Sequence, residues 1–265
     1  MPKNHRKWAG VLLLMQMSLY LGRQCLGTEA RASSSLISTG TSLCGVKLRS
    51  QAVAVQKYVE GHFRHPVECT VQPGLTSSGS ERGHVDLVSG VPTVTLDSIY
   101  GVDEITLTHE LFHLKFAADG LTFSGVEFVI VTTARSKQLS QSAENFLGTM
   151  LYSYLQHRLF FPKMVAMGLN PYSEINGEIE HDLITGQQPG NAKNFPEFMT
   201  VMVLLALDES SERPRAEGWY KKNGWNQQLQ TAIAMHDLIT ARDPKAQKDL
   251  LSTTQDCLNM LFPLI

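Results

Sequence analysis

The chain has 265 residues, 43% hydrophobic and 18% charged, with a formal net charge of -2. That length supports one or two domains with a full core. The apolar content excludes intrinsic disorder as the main state. The absence of any run of about 20 apolar residues excludes a polytopic membrane protein.

The N-terminus has the form of a targeting segment. Lys3, Arg6 and Lys7 make a basic start, Trp8 to Gly22 is mostly apolar, and Ala30-Arg31-Ala32 gives a small-residue exit. This pattern predicts a secretory signal peptide over residues 1–32, with an earlier cleavage point near Cys25-Leu26-Gly27. The expected destination is secreted or periplasmic. Removing residues 1–32 takes away five of the 23 basic side chains and one of the 25 acidic ones, leaving a net charge of -6. An acidic surface gives no reason to bind nucleic acid or an anionic lipid surface. Three cysteines then remain, Cys44, Cys69 and Cys257. Cys44 and Cys69 flank one predicted helix and are the preferred disulfide pair. Cys257 is left over in the last helix, and the absence of Cys-x-x-Cys argues against a cysteine-based zinc site.

Residues 33–43 read as a Ser- and Thr-rich flexible lead-in. Arg49 to His62 is predicted helical, and Val67 to Val71 a short strand. Gln72 to Arg82 carries turn signals. His84 to Val88 and Val91 to Leu96 read as extended, the latter rich in β-branched residues. Ile105 to Ala118 is predicted helical, closed by Gly120. The nearly continuous apolar run at Gly125 to Thr133 reads as a strand covered on both faces. Ser142 to Met167 has a long helical pattern with Pro162 as a kink or break. Pro196 to Leu207, Trp225 to Arg242 and Pro244 to Leu261 complete the helices, the last with Asp243 as cap and Pro244 at its first position. The predicted class is α+β: a small sheet and helices in the first half, an all-α second half, and one domain over residues 33–265.

Residues 109–113 read His109-Glu110-Leu111-Phe112-His113, inside the helix predicted over Ile105 to Ala118. Histidines four apart share a helical face, so both imidazoles can reach one Zn²⁺. Glu110 stands beside that face and can take a proton from a zinc-bound water. Other residues carry weaker signals. His181 can sit near a cleft or in a solvated polar turn. Tyr152 and Tyr154 can donate to an oxyanion or pack in a core. Trp219, Tyr220 and Trp225 around Lys221-Lys222 can form a surface patch or pack between helices. No Gly-rich phosphate loop or Gly-x-Ser-x-Gly elbow is present.

With this motif on its helix, the chain resembles the zincin metallopeptidases. The resemblance implies a zincin-like fold, zinc as cofactor, His109 and His113 as ligands, Glu110 as general base, and a peptide or protein substrate. It also implies a third ligand from further downstream. The metzincin extension would place Gly at 116 and His at 119; this chain has Phe116 and Asp119. Asp119 therefore reads as a last-turn residue and the weakest candidate. The gluzincin arrangement draws a Glu from the next helix, which selects Glu144, 31 residues after His113. His157 is the alternative, because it lies on the same predicted helix and zinc accepts either donor. One straight helix cannot give both to one metal, since they are about 220° apart around its axis. Two other functions stay open at this point: a metal- or partner-binding exported protein without catalysis, and a zinc hydrolase acting on a non-peptide amide or ester.

Overall fold

β-Branched residues alternating along Thr93-Val94-Thr95-Leu96 favour a pleated, half-buried strand, and that strand is the centre of the sheet. The computed structural model describes residues 36–37, 42–75, 82–99, 101–122, 141–172, 195–209 and 212–261. The leader at 1–32, the apolar run at 125–133 and His181 lie outside the described residues. In chain order the elements are β1 (Leu36–Ile37), β2 (Ser42–Leu43), β3 (Val46–Lys47), α1 (Ser50–Phe63), β4 (Glu68–Gln72), β5 (Gly83–Val88), β6 (Val91–Asp97), α2 (Glu104–Ala118), α3 (Gln141–Ala166), α4 (Phe195–Asp208), α5 (Arg213–Lys222), α6 (Asn226–Arg242) and α7 (Gln247–Met260). The class is α+β and mostly helical.

The main sheet has the order β1-β4-β6-β5, with β4 and β6 parallel and the other pairs antiparallel. Two hairpins use the same turn chemistry. Cys44-Gly45 joins β2 to β3 with φ of 54° and 79°, and Ser89-Gly90 joins β5 to β6 with φ of 53° and 87°. Left-handed backbone at both turn residues matches the right-handed twist of the flanking strands. Cys44 is disulfide-bonded to Cys69 on β4, with Cα atoms 5.5 Å apart, which ties the small hairpin to the main sheet. Cys257 is free and buried.

α2 is buried on nearly all sides: Leu107, Leu111, Phe112, Leu114 and Phe116 pack among Thr106, Thr108, Glu110 and His113. It rests on β5 and β6, with α1 and α3 against its remaining faces. Asp103 caps it by accepting from the Thr106 amide at 2.8 Å. Arg49 fixes its start, donating to Glu104 from its backbone at 2.6 Å and from its guanidinium at 2.9 Å. The same guanidinium donates to the Met167 carbonyl just past α3. One arginine thus ties the N-termini of α1 and α2 to the C-terminus of α3.

Several sequence expectations change here. The lead-in at 33–43 contains strand pairing: Leu36 and Ile37 pair with Cys69 and Glu68, and Ser42 and Leu43 pair with Lys47 and Val46. Backbone pairing is open to any non-proline residue, so a Ser-rich composition did not prevent it. Pro162 neither breaks nor ends α3, which runs on to Ala166. Asp243 adopts φ 45° and closes α6, its N–H bonding to the Ile239 carbonyl, so α7 begins at Gln247 rather than Pro244. α5 was not anticipated. Its Tyr220 is fully buried and donates to the Met199 carbonyl, with Trp219 and Trp225 rings 5.3 and 6.3 Å away, so these aromatics pack between helices. Among the described residues no helix is long and apolar enough to cross a membrane.

Candidate metal centre

One helical turn separates His109 from His113 on α2, and α3 packs against α2 so that His157 joins them. The Nε2 of His113 lies 3.1 Å from the Nε2 of His109 and 3.1 Å from the Nε2 of His157. One ligating atom from each residue falls within 4.8 Å of the others, the one such group among the described residues. Four donors in a tetrahedron at zinc's usual 2.0–2.1 Å stand about 3.3 Å apart. The observed spacing is therefore close to that of a bound-metal donor set, and the three histidines are near enough to hold a metal ion.

The protonation of His113 can be read from its neighbours. The Gln156 side-chain amide donates to the Leu121 carbonyl at 2.7 Å, which turns its Oε1 toward His113 Nδ1 at 3.1 Å. An amide oxygen only accepts, so Nδ1 carries the proton and Nε2 keeps its lone pair. That lone pair faces the other two imidazoles. His157 Nδ1 is buried without a hydrogen-bond partner among the described residues, and its Nε2 is 3.4 Å from Ser153 Oγ.

Burial keeps these rings neutral. His113 and His157 are 6% and 8% exposed, and His109 is half-buried. Burial pushes His113 down to about 4, against the opposing effect of the Gln156 hydrogen bond. Burial also pushes His109 well below the ordinary histidine value, helped by His113, and does the same to His157, helped by both other rings. Phe160 stands edge-on to all three, with centroids 5.1 to 5.3 Å away. Phe161 stacks on His157 at 4.9 Å and meets Tyr172 at 5.1 Å. Apolar walls of this kind strengthen the field of any cation held between the nitrogens.

Glu110 is 5% exposed and lies about 60° around α2 from His113. A Cβ built on Gly83 of β5 would lie 3.1 Å from its Oε1, so its carboxylate lies beside that strand.

The third member of the cluster is not the residue the sequence favoured. Glu144 is buried in the first turn of α3, thirteen residues before His157 on one continuous helix. That separation is about 20 Å along the axis, so Glu144 cannot reach the group that His157 joins. Asp119 is also excluded. It caps α2 and binds Lys115 Nζ at 2.5 Å and Tyr58 Oη at 2.6 Å. The hydroxyls of Tyr152 and Tyr154 are directed to Gln247 Oε1 at 2.6 Å and Asp208 Oδ2 at 2.7 Å, so neither serves the histidines. Gln156 escaped the sequence reading. It adjoins His157, but its role depends on the Leu121 carbonyl 35 residues upstream.

No family model, no curated protein and no solved structure matches this chain.

Proposed function

We propose that the chain is a zinc-dependent hydrolase that cleaves peptide bonds, a zincin-like metallopeptidase working outside the cytoplasm. The observation that carries this reading is the convergence of three neutral imidazole nitrogens beside a buried glutamate. Three histidines with an open fourth position are an established catalytic donor set for zinc. The order of elements supports the resemblance: a small mixed sheet, the motif helix packed on it, then a helical second half. The Cys44–Cys69 disulfide supports export, because disulfides persist in oxidising compartments.

His109, His113 and His157 would hold the ion, and Gln156 would keep His113 in the ligating tautomer. Zinc in such a site polarises the scissile carbonyl and lowers the pKa of water. Glu110 accepts a proton from the attacking water and returns it to the leaving nitrogen. Phe160 and Phe161, both buried, pack on the imidazoles and exclude solvent from that side.

Glu110→Gln tests the mechanism. The amide retains the shape and loses the base, so zinc content should stay stoichiometric. Hydrolysis of a peptide cleaved by the wild type, selected from a mixed peptide library, should fall about 10²–10⁴-fold. Full activity in this variant contradicts the assignment.

A further inference from the structure

Gly83 opens β5 and pairs with Leu96 of β6. Its backbone is outside the left-handed region, so the conformation does not require glycine. Glycine inside a strand weakens it and commonly marks a close approach. Here the approach is visible. A Cβ at this position would lie 2.9 Å from Leu96 Cδ2, 3.1 Å from Glu110 Cγ and 3.1 Å from Glu110 Oε1. Real Cβ atoms rarely come that near another heavy atom. Leu96 is fully buried and Glu110 nearly so, so neither gives way freely, and Glu110 meets the added atom twice, through Cγ and Oε1.

We propose that Gly83 is a positioning residue for the Glu110 carboxylate: its missing side chain leaves the space in which Oε1 lies against β5. This rests on the reading of Glu110 as the base. Even a methyl group there must push the carboxylate or the strand by a few tenths of an ångström. Transfer rates fall steeply with such shifts, about 10²-fold for a misplacement near 1 Å.

The test is Gly83→Ala, alone and combined with Glu110→Ala, in the full chain. For a peptide that the wild type cleaves, kcat should fall about 10- to 100-fold, while KM and zinc affinity stay near wild type. A merely structural strand position would not split kcat from zinc binding in this way. Thermal unfolding gives a readout independent of turnover. Gly83→Ala should lower Tm in the Glu110 background, and the drop should shrink or reverse in the Glu110→Ala background, where the Cγ and Oε1 contacts are gone. Equal Tm shifts in both backgrounds, or wild-type kcat in Gly83→Ala, overturn the proposal. If Gly83→Ala alone fails to fold, a folded double variant supports the contact with Glu110, and a double variant that also fails points to Leu96 and overturns it. Loss of the base reading is separate: there, Glu110→Gln stays fully active whatever the Tm coupling shows.

Discussion

α3 takes part in two histidine clusters built on different electrostatics. In one, Asp208 at the end of α4 is met by His236 Nε2 at 3.0 Å, Arg158 Nε at 3.1 Å and the Tyr154 hydroxyl at 2.7 Å. That cluster contains its own counter-charges and joins three helices. In the other, His109, His113 and His157 face one another, with no carboxylate paired to them among the described residues. A protein-only network can satisfy the first. In the second, each 3.1 Å approach between Nε2 atoms is met either by an N–H of one ring donating to the lone pair of the next or by a cation held between them. Neighbouring residues on one helix, His157 and Arg158, thus belong to a candidate ligand set and to a structural ion cluster.

The largest expected effect separates the two. His157→Ala should abolish stoichiometric zinc binding, as should His109→Ala and His113→Ala, measured by elemental analysis after zinc loading. Asp208→Asn should keep one zinc per chain and lower stability by about 1–3 kcal/mol, because Arg158 and His236 lose their charged partner. Equal zinc loss in Asp208→Asn and His157→Ala would erase the distinction.

Acid should sharpen it next. The folded metal-free chain holds His113 down at about 4, whereas an unfolded histidine titrates near 6.5. The unfolded state therefore binds more protons between these values. The stability associated with a neutral His113 is fully present above about pH 6.5 and is lost as pH falls toward 4, about 3 kcal/mol in all. Urea unfolding of the metal-free protein from pH 7 to 4.5 should show this loss, and His113→Gln should flatten that part of the profile. Parallel profiles for the two proteins would show that His113 is not held neutral by the fold.

A smaller effect is expected at Gln156. Replacing it with Leu removes the acceptor at His113 Nδ1, and zinc affinity should weaken about 10- to 100-fold. Competition with a chelator measures it; unchanged affinity would mean that the Leu121–Gln156–His113 chain does not set the tautomer.

Much of this architecture was legible in the sequence because it is local. Helical spacing in His109-Glu110-Leu111-Phe112-His113 placed two imidazoles on one face, and the extended patterns at His84 to Val88 and Val91 to Leu96 marked the strands β5 and β6. The third donor was not local. Glu144 and His157 stand on the same helix, and only the way α3 packs on α2 decides which of them arrives at His113. Periodicity reports which face of a helix is apolar, not which turn of it crosses a neighbour. The start of α7 failed for a related reason: Asp243-Pro244 suits a helix start in isolation, but Asp243 is used as the left-handed end of α6. The role of Gly83 was hidden because a lone glycine at the head of a strand looks like the end of the preceding turn.

The most direct measurement is X-ray absorption at the zinc edge on the purified, zinc-loaded chain. Three imidazole nitrogens at about 2.0–2.1 Å and one light non-protein ligand are expected, with an imidazole lost from the zinc environment in His157→Ala. A site with two imidazoles and a protein carboxylate, a sulfur-rich shell, or no bound zinc would contradict this expectation.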